Sequence, residues 1–221
     1  LEGGHQHVVG ADLHDLAAAA AGMRAQLDHV AEAGDAREAA RAVMRLRHLR
    51  HAAAAGKQRT CGKEARHRLR NRGERAMPFS FGQHPWFPRH GGMLVRFRAG
   101  AVLGTDAEGG ALSREPIAQD ADYSVFRSVP AGYRNQCYAG WTGEAEIAWP
   151  ANRIGLAITA DPVFGHLMLH APASGEPVVC LEPQSPAPCG FDGLEEGKMA
   201  PGVFVLAPGE AIAGAIRFEG R

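Results

Sequence analysis

EAEIAWPANRIGLAITADPVFGHLMLHAP, residues 144–172, decides the fold class. In EAEIAWP the side chains of Ala145, Ile147 and Trp149 fall on one face of an extended chain, because side chains alternate with a period of two along a strand. RIGLAITA (153–160) and HLMLHAP (166–172) continue the series, separated by the Pro, Asn, Asp and Gly residues that turns favour. Upstream, MLVRFRAGAVLG (93–104) alternates Val95 and Phe97 with Arg96 and Arg98. No amphipathic helix intervenes from residue 77 onward. The expectation there is an all-β sandwich or barrel.

PVVCLEPQ (177–184) departs from this alternation: it is a nearly continuous apolar strand that ends on Glu182. Burying a carboxylate costs several kcal/mol unless it is paired or used, and burial raises its pKa toward the range of a general base. The plain alternative is a strand-end glutamate that faces solvent or pairs with an arginine. His84, in FGQHPWFP (81–88), has the same two readings. Pro85 fixes the backbone beside it, and Trp86 and Phe87 offer a flat apolar surface that suits a sugar ring. Otherwise it is a histidine held by a local turn. If the two converge they make an acid/base pair.

Composition excludes other classes. With 45% apolar residues in 221, the chain can bury a sizeable core, and its formal net charge of zero removes any whole-chain attraction to nucleic acid or an anionic membrane. Cys61, Cys137, Cys180 and Cys189 form no CxxC pair and no zinc-like cluster, so reduced, mostly buried thiols are expected. No apolar run approaches the ~20 residues of a spanning helix, and LEGGHQHVVG lacks the basic and apolar regions of a signal peptide. A cytoplasmic protein is expected.

The chain changes character near residue 70. The first proline is Pro78 and the first aromatic Phe79, and Lys+Arg exceed Asp+Glu by 14 to 9 over residues 1–77. Residues 13–56 read as two or three alanine-rich helices, as a disordered arm, or as an out-of-frame stretch of a GC-rich reading frame. The division expected is an unassigned segment 1–68 followed by a β domain over 69–221.

Four motifs in that second part carry a resemblance. GQHPWF (82–87) resembles the G-x-HPYF motif of the aldose 1-epimerase family, and CYAGWTGEAEIAWP (137–150) its aromatic-Gly-Trp-x-Gly strand pair. VVCLEPQS (178–185) resembles its E-P-x-S strand and VFVLAPGEA (203–211) its L-x-PGE terminal turn. They stand in family order, whereas residues 1–68 align with nothing in the family. The resemblance implies the galactose mutarotase-like β-supersandwich, here incomplete, and interconversion of the α and β anomers of a free hexose. By the same resemblance His84 protonates the ring oxygen and Glu182 removes the C1 hydroxyl proton. Trp86 stands at the motif tyrosine as a stacking wall, with Trp141 as a second aromatic. Asn135 stands where the family usually has an aspartate that binds sugar hydroxyls. No metal or organic cofactor is implied, and the partner is a small aldose sugar, with neither nucleic acid nor membrane. The competing class is a non-catalytic carbohydrate-binding β-sandwich or a truncated epimerase. A phosphosugar epimerase would need arginines at the pocket, with Arg89 and Arg134 the weak candidates.

Two other signals are discounted. His166 and His170 stand four apart, but in a strand that spacing is about 13 Å, too far to share one ion. The Arg/His-rich stretch 45–70 lacks the aromatic interleaving of a nucleic-acid surface.

Overall fold

The computed structural model describes residues 26–33, 62–90, 92–105, 112–173, 176–191 and 199–221. In chain order the strands are β1 (Gln26–Ala33), β2 (Gly62–Asn71), β3 (Met77–Phe79), β4 (Trp86–Pro88), β5 (Leu94–Phe97), β6 (Ala101–Thr105) and β7 (Leu112–Glu115). They continue as β8 (Arg134–Ala139), β9 (Glu144–Trp149), β10 (Ile154–Ala160), β11 (His166–Ala171), β12 (Val178–Gln184), β13 (Phe204–Leu206) and β14 (Ala211–Gly220). One six-stranded sheet has the order β1-β2-β14-β10-β9-β5, a second the order β4-β12-β11-β8-β6-β7, and β3 pairs with β13. Every pairing but β1 with β2 is antiparallel. The all-β expectation holds, and the alternation in residues 144–172 corresponds to β9, β10 and β11.

The two large sheets face each other across one core. Val95, Ile147, Trp149, Ile158 and Ile216 of the first pack in the same cluster as Tyr138, Leu167, Leu169, Val179 and Leu181 of the second, each no more than 1% exposed. Burying a side chain of this size contributes roughly 1.5–3 kcal/mol, so these contacts fix which face of each sheet turns inward. Trp149 donates its indole N–H to the Pro88 carbonyl at 2.8 Å and so leaves no orphaned donor in the core.

The division at residue 69 falls inside β2. Ala65, His67, Leu69 and Asn71 are buried in turn along that strand, so residues 62–68 share the period-two pattern of the β domain. The helical reading of residues 13–56 lies outside the described residues except at β1. There the backbone is extended, paired with β2 from Gln26↔Glu64 to Ala33↔Asn71, and sheet pairing outweighs the helix preference of its alanines and glutamate. No helix among the described residues is long and apolar enough to cross a membrane.

Asn71 closes the end of β2. Its side-chain amide donates to the Arg75 and Leu206 carbonyls, both at 2.7 Å, and its Oδ1 accepts the Gly73 N–H at 2.9 Å. Its backbone N–H donates to Glu210 and its carbonyl accepts from Gly209. Asn71 is completely buried, and these bonds tie β2 to β13 and to the turn entering β14.

Candidate active site

The second sheet has two unlike faces, and the difference follows from register. Residues directly opposite in an antiparallel pair project to the same side. Pairing aligns Trp86, Cys180, His170 and Asn135 in one row across β4, β12, β11 and β8, and Glu182, Met168 and Cys137 in the next. The alternate positions, Val179, Leu181, Leu167 and Leu169, fill the core. One face is therefore structural and the other carries the polar chemistry.

His84 reaches this polar face from the loop between β3 and β4. The loop is laid along β12: the Gln83 N–H donates to the Pro183 carbonyl at 3.0 Å, the Ser185 N–H to the Phe81 carbonyl at 2.8 Å, and the Phe81 N–H to Ser185 Oγ at 3.1 Å. Gly82 bridges to Gln184 so closely that a Cβ on it would lie 2.8 Å from that of Gln184. The glycine of the HPWF motif is thus required by close approach.

His84 and Glu182 converge. Nε2 of His84 stands 3.1 Å from Oε1 of Glu182, with the His84 side chain 37% exposed and that of Glu182 only 13%. Burial pushes the Glu182 carboxyl up to about 8. Burial, and to a lesser degree the neighbouring His170, holds His84 below its ordinary value. Both shifts favour neutral forms, so near neutral pH the pair shares one proton across the 3.1 Å contact. A sugar that displaces this contact meets one group ready to give a proton and one ready to take it.

The rings around the pair form a continuous aromatic wall. Trp86 stacks on His84 with centroids 5.4 Å apart and planes 18° apart. The His170 ring meets His84 edge-on at 6.0 Å, and Tyr133, largely exposed, meets His170 edge-on at 5.9 Å. His170 Nδ1 is 3.1 Å from Asn135 Oδ1, which leaves the Nε2 edge of His170 available to a ligand. Trp86 thus buttresses the imidazole of His84 as well as forming part of the wall.

Of the residues singled out in the sequence, His84, Trp86, Glu182 and Asn135 come to one face of the second sheet. Trp141 does not. It is 5% exposed within the core cluster and its indole N–H donates to the Glu144 carbonyl at 2.9 Å, which makes it a core residue rather than a sugar-stacking wall. Arg89 spends its guanidinium on the Val129 carbonyl and Arg134 on the Tyr133 carbonyl, so neither contacts the pair. His166 is buried and bound through Nδ1 to the Ser185 carbonyl at 2.9 Å, apart from the role of His170. The sequence brings His170 forward only as a metal ligand with His166, and Tyr133 not at all. For His170 the signal was present in HLMLH, whose alternation puts both histidines opposite the two leucines; for Tyr133 there was none.

No family model matches the chain. In sequence it is 28% identical over 148 residues to YphB of Escherichia coli (strain K12), a span of 64% of this chain and 50% of that protein. In structure it superimposes with a TM-score of 0.62 and 22% identity on an Escherichia coli K12 protein put forward as an aldose 1-epimerase, over 72% of this chain and 55% of that one. A galactose mutarotase-like protein from Clostridium acetobutylicum gives a TM-score of 0.62 at 13% identity, over 72% and 52%. The chain has the galactose mutarotase-like fold. It spans about half the length of these relatives. Within the mutarotase-like fold His84 and Glu182 lie on the polar face of the second sheet, at one end of the wall made by Trp86, His170 and Tyr133.

Proposed function

We propose that this protein belongs to the aldose 1-epimerase family and interconverts the α and β anomers of a free hexose by acid/base ring opening and closure. The observation that carries the reading is the 3.1 Å approach of His84 and Glu182 in a half-buried setting, on a fold shared with mutarotase-like proteins. As the sugar binds, the pair's one proton moves from Glu182 to His84, and Glu182, now a carboxylate, takes the proton of the C1 hydroxyl while the bond from C1 to the ring oxygen breaks. His84 gives its proton to that oxygen, leaving the open-chain aldehyde. Rotation about C1–C2 presents the other face, and the same two transfers in reverse close the ring. The single proton of the pair is returned at the end of each cycle, so no co-reactant is consumed. Positioned proton transfer of this kind is worth about 10²–10⁴ per group.

Asn135 and His170 supply donors and acceptors for sugar hydroxyls, with the Asn135 amide offering donors that an aspartate lacks. Such an isomerase works on free sugars, and its expected place is the cytoplasm. The competing reading is a non-catalytic carbohydrate-binding β-sandwich, for which the aromatic wall of Trp86, His170 and Tyr133 suffices. Polarimetry of freshly dissolved α-D-glucose and α-D-galactose separates them: accelerated mutarotation, lost in Glu182→Gln, supports the enzyme, and saturable sugar binding without anomer exchange supports the binding module.

A further inference from the structure

A thiol, an imidazole and a carboxylate meet in the candidate site, and the acid/base reading uses only two of them. Cys180 and Glu182 are two residues apart on β12 and so share a face, and the loop brings His84 over both. One ligand atom from each of the three lies within 4.8 Å of the other two. Cys180 is fully buried and in no disulfide. Beside it, Nδ1 of His84 and Nε1 of Trp86 are buried without a hydrogen-bond partner, so the cluster is not a closed polar network.

We propose that His84, Cys180 and Glu182 form a binding site for a thiophilic divalent cation, Zn²⁺ foremost, whose occupancy blocks the acid/base pair. Mixed thiolate, imidazole and carboxylate ligation selects Zn²⁺ over Mg²⁺ or Ca²⁺, which take oxygen ligands. With zinc–sulfur near ~2.3 Å and zinc–nitrogen and zinc–oxygen near ~2.0–2.2 Å, donors in a tetrahedral site stand roughly 3.3–3.6 Å apart, so the triad closes by about an ångström. His84 provides that movement because it stands on a loop, whereas Cys180 and Glu182 are fixed in β12. A water takes the fourth position.

The step balances. Bonds form from zinc to the Cys180 sulfur, a His84 nitrogen and a Glu182 oxygen. The S–H bond breaks, the proton shared by His84 and Glu182 leaves, and both protons pass to solvent with no change of oxidation state. The thiolate and carboxylate cancel the cation's charge, so the filled site is neutral, as a half-buried position requires. Metal binding stands on geometry alone; only its inhibitory consequence rests on the anomer exchange proposed above.

The test titrates the full chain with Co²⁺ alone and then Zn²⁺ alone. Expected are one Co²⁺ bound with a thiolate-to-metal charge-transfer band, displacement by Zn²⁺, and calorimetry in buffers of different ionisation heat that reads about two protons released. The band disappears in Cys180→Ser and in Cys180→Ala but survives in Cys61→Ser/Cys189→Ser, and circular dichroism checks that each variant is folded. Zn²⁺ then halts anomer exchange in the native chain, while Cys180→Ser, measured against its own metal-free rate, needs more than about tenfold as much Zn²⁺ for the same fractional loss. A band that persists without Cys180, or no band in the native chain, overturns the site. A Cys180-dependent band with anomer exchange undiminished at saturating Zn²⁺ overturns the inhibition alone. Should the chain show no exchange at all, the acid/base reading falls and the spectroscopic result still decides the metal site.

Discussion

Glu182 follows four apolar residues on a strand whose alternate side chains fill the core, and its surroundings set its proton affinity. Its carboxyl is pushed up to about 8 by burial, so the folded protein holds this proton more tightly than the unfolded chain does. The stability tied to it is full below the ordinary carboxylate value and is lost as pH rises toward 8, at about 1.4 kcal/mol for each unit between the two values. With metal removed by a chelator, urea denaturation of the native chain and of Glu182→Gln is expected to converge near the ordinary carboxylate value and to separate with rising pH, the variant becoming the more stable. Equal slopes across that range contradict a buried carboxylate. The histidines act in the opposite direction. His84, His166 and His170 are all held below their ordinary value, burial being the first cause in each, so their contribution is full above that value and is lost on acidification below it. For the same reasons kcat/KM for anomer exchange is expected to be bell-shaped in pH. Its alkaline limb lies near 8 and its acid limb below the ordinary histidine value, and an alkaline limb unmoved in Glu182→Gln counts against the assignment.

At the scale of elements, Asn71 and Gly202 hold the frame on which the site stands. Asn71→Ala removes three side-chain hydrogen bonds and strands the buried Leu206 carbonyl, the part-buried Arg75 carbonyl and the Gly73 N–H, so a loss of about 3 kcal/mol in urea denaturation is expected. A loss under about 1 kcal/mol contradicts the anchoring role. Gly202 has φ +83°, and a Cβ there would lie 1.6 Å from the Ser185 carbonyl oxygen. That carbonyl meets His166, and the Ser185 hydroxyl accepts from Phe81 at the root of the His84 loop. Gly202→Ala is therefore expected to destabilise the fold by more than about 1 kcal/mol and to weaken exchange by displacing the loop; unchanged activity at equal fold content sinks that linkage. The legibility of the site follows the same division. His84, Trp86 and Glu182 were readable because the residues that explain them are neighbours in sequence. Their convergence was not, because it depends on the loop lying along β12. His170 and Tyr133 come to the wall through the pairing of β8, β11 and β12, a register that turns on contacts far apart in the chain. Trp141 was misread because a tryptophan after a glycine looks alike whether its ring turns to a ligand or to the core. The boundary placed at 69 missed residues 62–68 because Glu64, Arg66 and Arg68 on the other side of β2 masked the buried alternation of Ala65, His67 and Leu69.

The molecule as a whole is two sheets over one core, with the chemistry on the outer face of the second. Because Trp149 and Leu181 belong to a single cluster, the sheets are expected to unfold together. Tryptophan fluorescence and the far-ultraviolet strand signal should give coincident transitions in urea, and two separated midpoints would mean that the sheets are independent. Alternation predicted an all-β sandwich or barrel, and the two-sheet form is shared with the mutarotase-like solved structures. What the whole molecule does depends on whether one shared proton moves between His84 and Glu182 through a sugar. Polarimetry of freshly dissolved α-D-glucose and α-D-galactose tests this most directly. Mutarotation faster than buffer, reduced about 10²–10⁴-fold in Glu182→Gln and in His84→Asn, is the result expected; no acceleration with either sugar, or full activity in Glu182→Gln, contradicts it.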